Sequence, residues 1–348
     1  MNDSADTFMK IIGKQTTISI CITALAIKAN QYLEQSSSIK DSMNIVVELN
    51  IMGNNCQPRC YYCVNDNVHQ FQYSDIDIKN MKFFKNLPQS SLIIISGGEP
   101  FDNVNIYKII EYIQQCGYNY IINTKLSEQS YNYDEIKNGN LYVSLHLECR
   151  NINTHEELSK FLDKFINNIK QFKSRNVNIN VTQIITPILL NGQTLIIGRT
   201  NLDVYHEVFD ILSKHDIFII PRCIKGRMCK TVINADGSYQ NDYLLKYNNL
   251  FNLCPDFIKT KFPIEEDIPK IRKGENCNAG CNFFIVSCDN NKDFGKHKIV
   301  TCWNQIRTGK FIVKDFDLGN LLKQPQICPY PELCECKVLS SKEKYLKI

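Results

Sequence analysis

The stretch "NNCQPRCYYCVN", residues 54–65, follows the apolar run "MNIVVELNI" and decides how the chain is interpreted. It places Cys56, Cys60 and Cys63 at the spacing C-x3-C-x2-C, so a loop leaving a strand can bring three thiols to one inorganic centre. A structural zinc site takes four ligands, and His69 could supply the fourth. A [4Fe–4S] cluster held by only three cysteines leaves one iron open to bind something else. Both alternatives predict a metal centre.

Working outward from this loop, apolar β-branched runs alternate with amphipathic segments of helix length, which is typical of repeated βα units and a parallel sheet. The predicted strands cover residues 44–50, 91–96, 118–123, 141–147, 177–185 and 217–221. Helices are predicted over 76–86, 104–115, 128–137, 156–175 and 202–214, where apolar residues recur at three and four positions. The clearest such stripe is expected to face the core: Phe161, Phe165, Ile169 and Phe172. The prediction is an α/β fold, a partial (β/α)6 TIM-like barrel with a small cysteine-rich C-terminal domain.

The alternation stops near residue 222, where the sequence becomes irregular and rich in proline and charge. We therefore expect the barrel to span 44–221 and the cysteine-rich domain to span 222–348. Residues 1–43 form an extension of unknown role.

A second motif, "IIISGGEPF" at residues 93–101, follows the second predicted strand. Its glycines let the backbone approach a ligand closely and leave amides free to bind it. The cysteine loop and this segment together resemble the radical S-adenosylmethionine superfamily, whose signature is C-x3-C-x2-C with an aromatic residue just before the last cysteine. Tyr62 occupies that aromatic position.

The resemblance implies that Cys56, Cys60 and Cys63 hold three irons of a [4Fe–4S] cluster, while S-adenosylmethionine binds the fourth. One electron, from a donor of the flavodoxin or ferredoxin type, then cleaves the cofactor to a 5′-deoxyadenosyl radical that abstracts a substrate hydrogen atom. His146 could contact the cofactor or only face the barrel interior. The residues that match the family's cofactor-binding positions are Gly97, Gly98, Glu99 and Pro100, together with Ser144 in "YVSLHLE".

A second group of cysteines lies between Cys277 and Cys336. Its frame of "CNAGC", "TCWN", "FDLGNLL" and "CPYPELCEC" resembles the SPASM and twitch extensions of radical S-adenosylmethionine enzymes. The terminal C-x5-C-x-C departs from the C-x2-C-x5-C-x3-C of full SPASM domains, so we expect one auxiliary [4Fe–4S] cluster. Cys281 and Cys288 could ligate a second cluster or be free thiols, and a zinc site is the alternative for the whole group. The candidate auxiliary ligands are Cys277, Cys302, Cys328, Cys334 and Cys336.

Cys223 follows the last predicted strand, at the end of the barrel where ligands bind in such folds. It could donate a hydrogen atom to a substrate radical, or it could pack under the C-terminal domain. Cys229 and Cys254 are weaker candidates for the donor role. Three other cysteines have apolar or helix-like neighbours and are expected to be buried hydrophobes: Cys21, Cys116 and Cys149.

The composition narrows the partners of this protein. The 348 residues carry 40 basic and 36 acidic side chains, with no block of like charge, so we expect no nucleic-acid partner. The apolar stretch 18–27 is too short to cross a bilayer, and "MNDSADTF" does not resemble a signal peptide. We therefore expect a cytoplasmic protein without a membrane partner, in which cysteines bind metal rather than form disulfides.

The leading functional hypothesis is maturation of a ribosomally made peptide by crosslinking, epimerisation or a related reaction, since SPASM-type extensions often accompany that role. Only 43 residues precede the first predicted strand, so we expect an N-terminal peptide-binding module to be absent or supplied by another chain, which counts against this hypothesis. A second hypothesis is oxidation or epimerisation of a sugar or aminocyclitol. A third, from another class, is a non-catalytic zinc-stabilised binding protein.

Overall fold

The fold is described from a computed structural model. It covers residues 45–53, 56, 60, 63, 71–81, 83–89, 91–126, 130–147, 150, 152–191, 196, 199–223, 240–261, 270–271, 276–277, 283–288, 297–300, 302, 326–327 and 333–334. The N-terminal extension 1–43 lies outside these residues.

Six parallel strands in sequence order form most of the sheet. All six were predicted, and the partial α/β barrel predicted from the sequence is confirmed. These strands are β1 (Val46–Asn50), β2 (Leu92–Ser96), β3 (Asn119–Thr124), β4 (Asn140–Ser144), β5 (Asn178–Ile185) and β6 (Ile219–Cys223).

The two faces of this sheet have different chemistry, because successive side chains along a strand point to opposite sides. On β1, Val47 and Leu49 belong to the hydrophobic core shared with the helices, whereas Glu48 and Asn50 lie on the other face. We call the helix-covered side the outer face and the opposite side the inner face. The inner face carries many polar residues at the carboxyl end of the sheet.

Helices cover the outer face, and their apolar residues recur at helical spacing. The stripe predicted on the longest helix is confirmed, since Phe161, Phe165, Ile169 and Phe172 are all 3% exposed or less. The helices are α1 (Asp75–Asn80), α2 (Ile106–Gln115), α3 (His155–Lys173), α4 (Pro187–Asn191), α5 (Asn201–Ser213), α6 (Asn241–Asn252) and α7 (Asp256–Lys261), with 3₁₀ turns η1 (Phe84–Asn86), η2 (Pro100–Asp102) and η3 (Tyr133–Ile136).

Three predicted boundaries are wrong. The helix predicted over 76–86 is broken at Met81, whose backbone is extended. In the described part of the helix predicted over 128–137, residues 130–132 are not helical and the turn η3 follows them, because asparagine and serine side chains compete for backbone hydrogen bonds. The strand predicted to reach residue 147 ends at Ser144, and His146 has a left-handed φ of +48°.

The turns that lead from a helix or 3₁₀ turn into the next strand share one backbone feature. A residue with positive φ precedes each of β3, β4, β5 and β6, where the chain reverses at the amino end of the sheet. Glycine, asparagine and aspartate tolerate this conformation better than other residues do. The four are Gly117, Asn138, Asn176 and Asp216.

A strand from the cysteine-rich region completes the sheet. β9 (Phe283–Cys288) pairs in parallel with β1, and β10 (His297–Val300) pairs antiparallel with β9. The sequence did not predict that this segment joins the barrel sheet, because pairing over such a separation leaves no local signal. The division at residue 222 stays a prediction. Two small antiparallel pairs complete the description: β7 (Lys270–Ile271) with β12 (Leu333–Cys334), and β8 (Asn276–Cys277) with β11 (Gln326–Ile327).

Among the helices that the structure describes, none is both long and apolar enough to cross a membrane.

Candidate iron–sulfur and cofactor site

The cysteine loop leaves the carboxyl end of β1 and is closed at its neck by a short antiparallel bridge. The Tyr73 amide donates to the Ile51 carbonyl at 2.8 Å, and the Gly53 amide donates to the Phe71 carbonyl at 2.9 Å. Met52 and Gln72 are paired between them. The loop therefore begins and ends at one fixed point above the sheet.

All three predicted cluster ligands are described within this loop. Cys56 and Cys60 are each 7% exposed, and Cys63 is half-buried. The Cys63 amide donates to the Cys60 carbonyl at 3.1 Å, so the last two cysteines share one tight turn. Tyr62 and His69 lie outside the described residues, so the predicted aromatic position and the possible fourth zinc ligand stay predictions.

The pKa of Cys56 reflects its buried position and the charged groups around it. The pKa of this thiol is raised to about 11, mainly by burial; the positive charge of Lys125 lowers it, and the charges of Cys63, Glu99 and Cys60 contribute to the rise. Bound iron would have to displace this proton, since thiolates are the ligands of iron–sulfur clusters.

Within the described part of the chain, no three His, Cys, Asp or Glu side chains are close enough to hold a single metal ion. A [4Fe–4S] cluster places its three cysteines on three separate iron atoms, so its ligands lie farther apart than those of one ion. Cluster binding by Cys56, Cys60 and Cys63 stays a prediction.

The GGEP turn, residues 97–100, follows β2 and packs against the neck of the loop. The Gly98 amide donates to the Met52 carbonyl at 3.2 Å. Gly97 has a φ of +135°, and a Cβ there would lie 2.7 Å from the Met52 carbonyl oxygen and 2.8 Å from Asn50 Oδ1. Only glycine fits this position, because both the backbone conformation and the close approach exclude a side chain.

Glu99 is buried, and its carboxylate connects the turn to the end of β3. Oε1 accepts from Thr124 Oγ1 at 2.6 Å and from the Phe101 amide at 3.2 Å, and Oε2 accepts from the Lys125 amide at 2.7 Å. Burial raises the pKa of Glu99 above its ordinary value, while the three donors oppose that shift. A carboxylate has about four acceptor positions, so one position remains for a ligand.

Asn103 anchors the loop and was missed in the sequence. Its Nδ2 donates to the Tyr73 carbonyl at 2.9 Å and to the Ile51 carbonyl at 3.2 Å, which are the two sides of the loop neck. Its Oδ1 accepts from Gln72 Nε2 and from the Asn105 amide. Asn103 directly follows η2 in the chain. Nothing in the sequence around it indicated that its side chain would reach across to the cysteine loop.

Ser144 and His146 flank the end of β4. Ser144 is half-buried and pairs with Thr182 on β5, at the carboxyl end of the sheet where its predicted cofactor contact would lie. His146 lies beyond the strand and is also half-buried. The positions of both residues suit the predicted site, and their roles stay predictions.

Cys223, the predicted hydrogen-atom donor, is 0% exposed and belongs to the hydrophobic core on the outer face. Its neighbour in the sheet is Ile185. Cys254, a weaker candidate, is 2% exposed and donates from Sγ to the Ile219 carbonyl at 3.6 Å. This burial supports the packing alternative for both thiols. Cys116 is half-buried rather than fully buried.

The auxiliary cluster ligands are described only in part. Cys277 and Cys334 lie in the two separate small sheets, Cys288 ends β9, and Cys302 is half-buried. The ligand set stays a prediction. The remaining cysteines of the prediction lie outside the described residues: Cys21, Cys149, Cys229, Cys281, Cys328 and Cys336.

Residues 47–176 match the family model of the 4Fe-4S single cluster domain. This segment contains β1 to β4, the cysteine loop and the GGEP turn. The match bears out the predicted [4Fe–4S] cluster domain in this segment.

Several solved structures are similar to this chain. They include anSMEcpe with bound AdoMet, at 13% identity over 74% of this chain and 71% of that chain with a TM-score of 0.48. SuiB from Streptococcus suis bound to S-adenosylmethionine matches at 13% identity over 88% and 72%, with a TM-score of 0.49. SuiB bound to the precursor peptide SuiA matches at 12% identity over 81% and 64%, with a TM-score of 0.49. Among curated proteins, no sequence matches.

Proposed function

We propose that this protein is a radical S-adenosylmethionine enzyme that acts on a ribosomally made peptide. The observation that carries the proposal is the attachment of a loop bearing three cysteines to the GGEP turn, through the Gly98 amide and the Met52 carbonyl. This contact supports the proposal because it brings the loop that carries the expected cluster ligands next to the segment expected to bind the cofactor, at adjacent strand ends.

When bound, the cluster and S-adenosylmethionine would supply one-electron cleavage of the cofactor to methionine and a 5′-deoxyadenosyl radical that abstracts a hydrogen atom. The protein's own contribution is to position and shield these groups. Cys56, Cys60 and Cys63 would hold the cluster, while Gly97 lets the turn pack closely against Met52 and Asn50, which a side chain at this position would prevent. Glu99 offers its remaining acceptor position to the cofactor's amino group.

The peptide substrate is proposed from the SPASM-like and twitch-like frame of the C-terminal cysteines. The electron donor is proposed to be a flavodoxin or ferredoxin. Cys223 is not assigned the hydrogen-donor role, because its thiol packs in the core.

The experiment that tests the proposal compares the wild type with the Cys56→Ala/Cys60→Ala/Cys63→Ala variant after anaerobic reconstitution. We expect about eight irons per wild-type chain and about four in the variant, as one of two [4Fe–4S] clusters is lost. Formation of 5′-deoxyadenosine from S-adenosylmethionine and dithionite should cease in the variant. Cys254→Ala, which removes another buried thiol away from the loop, is the matched control and should retain both.

Continued 5′-deoxyadenosine formation by the triple variant would contradict the proposal. Zinc without iron in the wild type would favour the binding-protein hypothesis instead.

A further inference from the structure

One arginine joins the carboxyl ends of β3 and β4. Arg150 Nη2 donates to the Lys125 carbonyl, beyond β3, at 2.9 Å, and Arg150 Nε donates to the Leu145 carbonyl, beyond β4, at 2.9 Å. The guanidinium carbon lies 4.2 Å from the ring centroid of Phe161 on α3, which is a core residue. Two hydrogen bonds and a cation–π contact therefore fix this side chain.

Each of the two carbonyls directly precedes a residue with a strained backbone. Leu126 and His146 both have a φ of +48°, in the left-handed region that leucine in particular rarely adopts. Such residues persist only where the surrounding structure holds them, and they are common at functional sites. Arg150 binds the peptide group before each of them, so it holds both turns in place.

The turn after β3 is held from its other side by the GGEP turn. The Lys125 amide donates to Glu99 Oε2 at 2.7 Å. The Leu126 amide donates to Thr124 Oγ1 at 2.9 Å, and this hydroxyl donates to Glu99 Oε1 at 2.6 Å. The bonds to Glu99 and Arg150 use only backbone atoms of Lys125, so they position its side chain without involving it.

The position of Lys125 directs its charge toward the cysteine loop. Its neighbours Thr124 and Leu126 are buried, and Leu126 belongs to the core on the outer face, so alternation puts the half-buried Lys125 side chain on the opposite side. Among the described groups whose charges act on Cys56, Lys125 is positive and Glu99 is negative.

A positive charge at this position would favour the reduced state of a cluster in the loop. One electron from the proposed donor converts [4Fe–4S]²⁺ to [4Fe–4S]⁺; no bond forms or breaks, and the centre becomes more negative by one unit. Net charge is one of the factors that set the potential of a cluster, and opposite charges attract strongly where water is excluded. Cys56 is buried, so the cation would act in such a place.

We propose that Lys125 raises the reduction potential of the cluster in the cysteine loop, and that Arg150 is the positioning residue that keeps the Lys125 ammonium group beside this loop. The inference rests on the proposed function, because it takes the loop to hold the cluster. It assigns both residues a role in the arrival of the electron, not in ligating iron or in binding S-adenosylmethionine.

The test is a redox titration of the reconstituted holoenzyme followed by electron paramagnetic resonance, without S-adenosylmethionine. The signal that the Cys56→Ala/Cys60→Ala/Cys63→Ala variant lacks belongs to the cluster in the loop. In Lys125→Gln, the ratio of reduced to oxidised cluster at a given potential should fall about tenfold, a shift of about 59 mV to more negative values. Lys125→Arg retains the charge and should keep the wild-type potential.

Lys173→Gln is the matched control for the loss of charge. Lys173 Nζ donates to the Asp216 carbonyl at 3.0 Å, at the amino end of the sheet. This variant loses the same charge as Lys125→Gln but at the opposite end of the barrel, so the potential should not change.

The role of Arg150 is tested with Arg150→Lys, which keeps the charge but replaces the planar fork of donors with a single ammonium group. We expect a lower Tm and a ratio of reduced to oxidised cluster about threefold below that of the wild type, because Lys125 is held less firmly. Since Arg150 acts through Lys125, adding Arg150→Lys to Lys125→Gln should not move the potential further.

Arg175→Lys is the matched control for the loss of an arginine fork. Arg175 Nε donates to Asp134 Oδ1 at 2.7 Å, and its guanidinium carbon lies 5.4 Å from the Tyr133 ring centroid, at the amino end of the sheet. Any loss of Tm in this variant should leave the potential unchanged, whereas the loss in Arg150→Lys should not.

An unchanged potential in Lys125→Gln would overturn the inference, as would an equal shift in Lys125→Arg or Lys173→Gln. Loss of iron from Lys125→Gln would also overturn it, because Lys125 would then be needed to hold the cluster. A lower Tm with the wild-type potential in Arg150→Lys would overturn the positioning role of Arg150.

The same titration separates this inference from the proposed function. If the triple cysteine variant keeps every wild-type signal, the proposed function fails and the inference fails with it. If the signal of the loop is present and its potential is the same in all variants, only the inference fails.

Discussion

The two ends of the parallel sheet differ in how their buried polar groups are satisfied. At the amino end, Asn140 donates to the Tyr120 carbonyl at 3.1 Å and accepts from Asn178 at 3.1 Å, so its amide is used within the sheet. At the carboxyl end, Asn50 and Ser96 keep unpaired oxygens and Glu99 is a buried carboxylate. Ser91 is the exception at the amino end.

This difference is what we expect if the amino end serves stability and the carboxyl end carries the proposed binding site. Buried polar groups that are fully paired fix the fold, whereas unpaired acceptors and a buried carboxylate reduce stability unless a ligand completes them. Parallel α/β sheets place their ligands at the carboxyl ends of the strands, which is the end where these groups lie here.

The largest expected effect is a difference in cluster retention between variants of two buried asparagines. Asn103 lies at the carboxyl end of the sheet and Asn140 lies at the amino end. Asn103→Ala and Asn140→Ala each leave buried groups unpaired, and each should cost about 2–3 kcal/mol of stability. Only Asn103→Ala should also release the cluster several-fold faster, because Asn103 holds both sides of the loop neck. Tm and the rate of iron loss to a chelator measure the two effects.

Equal iron loss in both variants would show that the cluster responds to global stability. That result would contradict the assignment of Asn103 as a positioning residue for the loop.

A smaller effect concerns the buried carboxylate at the carboxyl end. Burial raises the pKa of Glu99 above its ordinary value of 4.5. The stability that Glu99 contributes is therefore fully present below about pH 4.5 and is lost as pH rises through the raised value. Glu99→Gln stays neutral at every pH, so the Tm of the wild type relative to this variant should fall as pH increases. Thermal melts of both proteins from pH 4 to pH 8 test this. A wild-type Tm that rises relative to the Tm of Glu99→Gln as pH increases would contradict it.

The smallest effect should have the opposite sign at the amino end. A hydrogen bond from Arg175 Nε, 2.7 Å from Asp134 Oδ1, lowers the pKa of that carboxyl below its ordinary value of 3.8. Its contribution is present above that value and is lost as pH falls. Asp134 is 78% exposed, so Asp134→Asn should change Tm only slightly, and only at neutral pH. A Tm loss at acidic pH that equals the loss at neutral pH would be inconsistent with this pair.

The sequence alone determined the order of the six barrel strands and the chemistry expected of the first site. The spacing of Cys56, Cys60 and Cys63 and the GGEP segment are local patterns, and the alternation of apolar runs is local as well, so each can be recognised without knowing its neighbours in space. For the same reason, the stripe from Phe161 to Phe172 was predicted correctly.

Only the tertiary structure decided which distant residues meet. The pairing of β9 with β1, the reach of Asn103 to the loop neck and the hydrogen bond from Asn50 to Ser287 join positions far apart in the chain. The burial of Cys223 on the outer face likewise depends on which side of β6 it occupies and what covers it. Such contacts depend on packing and register, which a local pattern of residue types does not specify.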